Sequence, residues 1–509
     1  MEWSDVTPSR APDGRGAASP GSERRPRLAA WPMAAGICCA ILALGAVYYI
    51  RAYIRAGKYW VADSDYQVFY GAAVAVRHHA NPFLATMAWI HQYSPHQHLG
   101  MGFATKSYVY PPFFAFLQVP FSLLSLRHAL VAWDLLNVIF LVGAIYALLR
   151  VVDIRPSALE IFVFATAALL LDPIRKELFI GQADIFLLFL VCTALWARFE
   201  ERPYMAGILL AVACAIKPPL LVWVVFLLWK RELKVASTAV LGALVLFFAP
   251  FLWLGAHVWH DQLTIFQFWS NQFLAFDHND SPKGVLVRLF TANPVVRPLV
   301  VAPALVTALW LVVAAVVLLL TAARIRPQPL NRDRRTLLEI ALVVPAALLL
   351  TPLTEWPYLL MLIIPLLMVY GWVRQSGPGT PVVRFVAWGA VATALLLTGP
   401  LTWTENHIAA HMVATRAVTA DLLVLLAPGY LYLLIGVFAL QLYALGRASN
   451  ESTLTAIRNL VTNAPAILTA VKDAARVSRT DSHTASVLSE QSEYSAGTTQ
   501  RSEPVRPVR

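Results

Sequence analysis

Apolar runs long enough to cross a bilayer recur from residue 31 to residue 446, and no other feature restricts the fold as strongly. A crossing helix needs about 20 mainly apolar residues. Inside hydrocarbon it must also satisfy its own backbone hydrogen bonds, which a helix does. The candidate spans are 31–50, 129–150, 157–171, 183–198, 204–216, 218–230, 234–254, 299–323, 336–352, 356–373, 383–402 and 422–446. Charged residues make up 14% of the chain, where a soluble protein carries about 25%. The expected fold class is therefore an all-α polytopic membrane protein with about 12 transmembrane helices.

The net charge of +11 would point to nucleic acid in a soluble chain. Here the basic residues fall in short loops between apolar runs, so membrane topology explains them and no nucleic-acid partner is expected. Arg150 and Arg155, Arg198 and Arg202, Lys230, Arg231 and Lys234, the segment 324–335, Arg374 and Arg447 all map to one side. The positive-inside bias makes that side cytoplasmic, together with both termini. Residues 1–30 and 448–509 are polar and read as disordered cytoplasmic tails flanking a membrane domain at 31–447. A weakly amphipathic stretch lies at 455–477. The run at 31–50 is followed by YYIRAYIRAGK rather than by a small-residue cleavage site, so it reads as an uncleaved anchor. Cys38, Cys39, Cys192 and Cys214 all sit inside apolar runs, as buried hydrophobes do.

This assignment keeps residues 51–128 outside as one long loop. Its proline-broken run YVYPPFFAFLQVPFSLLSL is then an interfacial or re-entrant helix. Pro218 and Pro219 split two short spans and leave Lys217 at the outer surface. The same face receives 61–83, VADSDYQVFYGAAVAVRHHANPF, with Asp63 and Asp65. Either acid is a solvated loop residue or a catalytic base at the membrane edge. The part GAAVAVRHHANPF is expected to form a surface helix that holds the acids over the membrane.

DPIRKELFIGQAD brings Arg175, Lys176, Glu177 and Asp184 to the same side, and HNDSPKGVLVRL brings His278, Asn279, Asp280, Lys283 and Arg288. Outer cations run against the topological bias. They suit the phosphate of a lipid head group, or else snorkel at helix ends. The irregular set His78, His79, His91, His96 and His98 reads as polar loop. His407 and His411 share a helix face, but Ile408 stands where a zinc protease motif needs Glu. No dedicated metal site is expected.

The ordered set DSDYQVFYGAA…ANPF, YVYPPFFAFLQVPFSLL, LFIGQADIFLLFL and MAGILLAVACAIKPPLL resembles glycosyltransferase family 87. HNDSPKGVLVRL and LTEWPYLLMLIIPLL are weaker matches, and the resemblance covers roughly residues 35–445. It implies a C-type glycosyltransferase fold with interfacial helices in the long first extracytoplasmic loop. It implies an integral enzyme of a bacterial plasma membrane that uses a polyprenyl-phosphate sugar donor and an outer-face active site. Transfer of a hexose, mannose foremost and arabinofuranose as the alternative, to a glycolipid or glycan acceptor with inversion is then expected. No cofactor is implied, although a divalent metal is compatible with the chemistry.

By the same resemblance Asp65, in Asp65-Tyr66-Gln67-Val68-Phe69, is the general base, with Asp63 in reserve. Lys217, Arg175, Lys176 and Arg288 are candidates for the donor phosphate. Tyr70, Gln182, Asp184, His278, Asn279 and Glu355 are further site candidates, and the YPPFFAFLQVPFSLL helix is a candidate groove for the prenyl chain. Two departures concern the acceptor side: Asp280 stands where the family often has Gln, and Pro357 follows Trp356 where a His is common. A transporter or lipid flippase is the rival reading, but it predicts internal repeats and polar midplane sites, and the sequence shows no such repeat.

Overall fold

The computed structural model describes residues 64–85, 92, 107–276, 278–293, 295–377, 380–398, 400–401, 428–449 and 451–462. Asp63, His91, His96, His98, His407 and His411, the run at 31–50 and most of both tails lie outside the described residues. Within them the regular elements are helices.

Five helices are long and apolar enough to cross a membrane. They are α3 (Leu126–Val151), α9 (Leu233–Leu254), α12 (Pro303–Arg324), α16 (Gly429–Ser449), and the continuous 3-10 turn and α14 over Trp356–Ser376. A sixth forms if α5 (Asp172–Ile180) and α6 (Asp184–Phe199), bent by 120°, count as one broken span. Among the described residues, then, length and composition qualify five or six helices. Several runs read as spans in the sequence are shorter apolar helices: α4 (Ala158–Leu170), α7 (Pro203–Ile216) and α15 (Pro381–Leu396).

The breaks follow proline chemistry. Prolines open α2 (Pro112–Gln118), α7, α11 (Pro282–Phe290), α12 and α15, at positions where a missing N–H costs nothing. After α7 the chain extends at Lys217, makes a 3-10 turn over Pro218–Leu220 and restarts as α8 (Leu221–Trp229). Neither proline can donate the bond that a continuous helix requires.

Packing runs α3 on α6, α6 on α7 and α7 on α9, with α13 (Arg334–Leu350) against α14 and α16. The α7–α9 approach depends on Gly207, where an added Cβ would lie 2.5 Å from Thr238 Cβ. Small residues at such crossings let backbones close up where hydrocarbon offers no hydrophobic drive.

The helix after Asp65, α1 (Tyr66–Arg77), corrects an expectation. It is not a surface helix: every residue from Tyr66 to Val76 is buried. VFYGAAVAV has no polar stripe, and a helix apolar all round belongs inside. It packs on α2, on the 3-10 turn Phe121–Leu123 and on α3.

Helix direction separates two polar ends. The start of α6, the end of α7 and the start of the Pro218 turn bring Asp184 and Lys217 together. The other end of α6, about 24 Å away for 16 residues, carries Arg198, which pairs with Glu232 at 2.5 Å. There Lys230 meets Glu339 at 2.7 Å, Arg332 meets Glu200 at 2.9 Å and Arg374 meets Glu160 at 2.7 Å. The 324–335 loop is tied down by Leu330 N donating to Glu232 and by Arg326 N donating to Glu339. Most of the basic loops grouped on one side by the sequence are thus joined at one end of the helices.

Candidate active site

At the opposite end lies a cavity of about 620 Å³. Its polar wall includes Asp65, Lys176, Gln182, Asp184, Lys217 and Glu355, and its apolar wall includes Phe266, Phe273 and Phe276. His278 also faces it, stacked on Phe276 with ring centroids 5.3 Å apart.

Each polar group is delivered by a turn. Asp65 caps the start of α1, where its carbonyl accepts from Val68 N at 3.0 Å. Ser64 just before it accepts from Tyr66 N at 3.0 Å and donates to the Ile180 carbonyl at 3.2 Å. That bond fixes the α1 entry against the α5–α6 turn.

The α5–α6 turn is built on Gly181 in the left-handed region, φ 70°. A Cβ there would meet Tyr66 Cβ and Leu130 Cδ1 at 2.8 Å, so both conformation and space require glycine. The turn presents Gln182 and Asp184 to the cavity. Gln182 Nε2 donates to Asp65 Oδ2 at 2.7 Å, while the Tyr110 hydroxyl donates to Gln182 Oε1 at 3.0 Å. The Gln182 carbonyl accepts from Trp133 Nε1 at 3.1 Å. Glu177 Oε1 accepts from the backbone N–H groups of Asp184 and Ile185, and so satisfies orphan donors at the start of α6.

Lys217 Nζ lies 2.7 and 3.0 Å from the Asp184 oxygens and 3.6 Å from the Tyr358 ring centroid. The partner side chains are nearly enclosed, 13% exposed for Lys217 and 2% for Asp184. Lys217, placed by the sequence at the outer surface, lies in the wall of the cavity. Lys176 sits 3.3 Å from Asp172 and 4.6 Å over the Trp356 ring.

Glu355 immediately precedes the Trp356 turn. Burial raises its carboxyl pKa; Lys217 and His278 counteract this, Asp65 and Asp184 add to it, and the balance sits at about 7. The group is therefore largely neutral below pH 7 and charged above it. Ionisation puts a negative charge beside any phosphate brought to Lys217. Raising the pH from 6 to 8 is expected to raise the KM of a phosphate-linked donor about three- to tenfold, on the scale of a single screened charge pair. Glu355→Gln is expected to flatten that dependence. An unchanged pH profile in Glu355→Gln would remove Glu355 from the donor side.

The remaining sequence candidates lie elsewhere. Arg175 pairs with Asp172 at 3.5 Å, outside the cavity wall. Arg288 is fully buried and donates to the carbonyls of Phe276 and Asn279, stapling the turn that precedes α11. Asn279 joins two loops, donating to the Leu274 and Pro352 carbonyls and accepting from Ser281 N and Thr354 N. The buried Tyr70 donates to the Leu124 carbonyl at 3.0 Å. α2 packs inward, with Phe114 5.0 Å from Phe69, and the residues just before it (Val109, Tyr110 and Pro111) form cavity wall. Among the described residues no cluster of three or more His, Cys, Asp or Glu could hold a metal.

Sequence reasoning missed Tyr110, Trp133 and Tyr358 as site residues, and read Glu177 as a loop charge. Tyr110 and Tyr358 lie beside prolines in YVYPPF and EWPY, the only local signal either carried.

The family model of glycosyltransferase family 87 matches residues 108–352. The chain is similar to a polyprenol-phosphate-mannose-dependent alpha-(1-2)-phosphatidylinositol mannoside mannosyltransferase of Mycolicibacterium smegmatis. The two are 26% identical over 332 residues, covering 59% of this chain and 69% of the relative. A Mycobacterium tuberculosis protein of the same description is 27% identical over 145 residues, covering 26% of this chain and 34% of the relative. A related phosphatidylinositol pentamannoside mannosyltransferase from that species is 25% identical over 135 residues, covering 26% and 31%. No solved structure matches the chain.

Proposed function

We propose that the chain is a membrane glycosyltransferase of family 87, whose model matches residues 108–352, and that it moves mannose from a polyprenyl-phosphate donor to a glycolipid acceptor. What carries this reading is one cavity that combines an ordered carboxylate, Asp65, with the cations Lys217 and Lys176 beside an apolar wall. The relatives' mannose donors and phosphatidylinositol mannoside acceptors supply the choice of substrates.

The acceptor hydroxyl oxygen attacks the anomeric carbon and its proton passes to the Asp65 carboxylate. The bond from that carbon to the phosphate oxygen breaks through an oxocarbenium-like state. Lys217 and Lys176 stabilise the negative charge that gathers on the departing polyprenyl phosphate. One displacement gives inversion at carbon. Phe266, Phe273 and Phe276 offer the prenyl chain an apolar approach. The clustering of basic loops at the far end of the helices supports an extracytoplasmic position for this cavity, within a C-type fold.

The test is reconstitution of the full chain in lipid with radiolabelled polyprenyl-phosphate mannose and phosphatidylinositol mannosides, and separately with the arabinose donor. Label moving from the mannose donor into the acceptor is expected. Turnover of arabinose alone would reassign the sugar, and turnover of neither would sink the proposal.

A further inference from the structure

The cavity contains one polar chain that the reaction scheme above leaves unused. Tyr110, Gln182 and Asp65 come from three separate segments and are joined in series, at 3.0 and 2.7 Å, by the Gln182 side-chain amide. The backbone of Gln182 is fixed independently, by Trp133 on its carbonyl and by the Gly181 turn before it. A side chain anchored at both ends is a holder for whatever its amide touches, and here that is the carboxylate read above as the base.

We propose that Gln182, set by Tyr110, is the positioning residue for the Asp65 carboxylate and keeps it hydrogen-bonded through both of its charge states during transfer. The proposal rests on the reading of Asp65 as base and deepens it. A primary amide has a donor end and an acceptor end. With Asp65 ionised, only the orientation seen here satisfies all three groups: Nε2 donates to the carboxylate and Oε1 accepts from Tyr110. After Asp65 has taken the acceptor's proton, the reversed amide is equally satisfied. Its oxygen accepts the new carboxyl O–H, and its nitrogen donates to the Tyr110 oxygen. Leucine, lysine or an ionised glutamate at this position cannot serve both states. Tyr110 can do so because a phenol both donates and accepts.

The mechanical consequence is geometric. General-base transfer needs the carboxylate within hydrogen-bond reach of the acceptor hydroxyl, and small misplacements of a reacting group cost large factors in rate. In this role Gln182 fixes the plane of the carboxylate and needs no contact of its own with donor or acceptor. Its loss should therefore appear in kcat rather than in KM.

The experiment uses the full chain in proteoliposomes with radiolabelled polyprenyl-phosphate mannose and phosphatidylinositol mannosides. Gln182→Leu is expected to lower kcat about 10- to 100-fold, the range for losing a hydrogen bond to a charged group, with donor KM within about twofold of wild type. Tyr110→Phe is expected to lower kcat about three- to tenfold, as for one neutral hydrogen bond. Gln182→Glu is nearly isosteric and supplies the readout that a merely structural role would not move. Two carboxylates sharing a site hold one proton well above the usual range, and the protonated form can donate to Asp65. Activity of Gln182→Glu relative to wild type should therefore rise at least about fivefold between pH 8 and pH 6. The ratio for Gln182→Leu should stay flat.

An unchanged kcat in Gln182→Leu, or a loss carried wholly by KM, overturns the proposal. So does a flat pH ratio in Gln182→Glu, which decides the matter even where Gln182→Leu does not fold. Retained transfer in Asp65→Asn sinks the base reading itself. Loss of transfer in Asp65→Asn with normal kinetics in all three other variants removes only the positioning role.

Discussion

Asp65→Asn is expected to reduce transfer by about 10²- to 10⁴-fold, the usual contribution of a positioned general base, with the fold intact. The substitution changes almost no volume, and the new side chain keeps an oxygen where Gln182 Nε2 now donates at 2.7 Å. On the proposed mechanism, what it loses is the capacity to take a proton from the acceptor hydroxyl. α1 is held by burial from Tyr66 to Val76 and by the Ser64 bonds to Tyr66 N and Ile180 O, none of which involves the carboxyl. A melting temperature within a few degrees of wild type is therefore the control, since about 1 kcal/mol shifts a domain of this size by only a few degrees. Donor binding, followed by protection of the protein against thermal unfolding, should persist, because Lys217 and Lys176 are untouched. Turnover near the wild-type rate in Asp65→Asn would pass the role to Asp63 or another group.

Much of the helical order was legible because its signals are local. The apolar run at 129–150 became Leu126–Val151, and 234–254 became Leu233–Leu254. Both hold their length because bilayer-scale apolar runs leave the backbone few alternatives. The break at Lys217 was legible because proline acts on its own neighbours. Of the loop cations that the sequence grouped together, Arg198, Lys230, Arg332 and Arg374 each pair with a carboxylate at one end of the helices.

The parts that failed to show are those fixed by distant partners. Arg288 carries the charge of a phosphate ligand, but the Phe276 and Asn279 carbonyls that enclose it depend on a loop closing over α11. Tyr110 and Gln182 stand 72 residues apart, and nothing in either neighbourhood announces the other. α1 was misplaced because a short apolar segment next to polar residues resembles an interfacial helix until its packing partners are known. Local pattern gives element and side; only tertiary contact tells a site residue from a staple.

Lys217→Ala should raise donor KM and lower kcat together, by about tenfold or more in kcat/KM, since charge-assisted contacts to a phosphate are worth roughly twice neutral ones. The single substitution does not separate that proposed role from the ion pair that Lys217 makes in the structure. Lys217 neutralises Asp184, whose side chain is only 2% exposed, and removing one partner of a buried pair costs about 3–5 kcal/mol. A destabilised protein with poor activity would follow from either role. The double variant Lys217→Ala with Asp184→Asn separates them. It removes the uncompensated charge and should recover much of the lost melting temperature, because Glu177 bonds the backbone N–H at position 184, which the side-chain change leaves in place. If Lys217 serves the donor phosphate, the recovered fold will still show the raised donor KM. Asp184→Asn alone, which keeps the ammonium and its seat 3.6 Å from the Tyr358 ring, should bind donor at least as tightly as wild type. Restoration of both stability and donor KM in the double variant would make Lys217 a structural partner of Asp184 and leave Lys176 as the cation facing the phosphate.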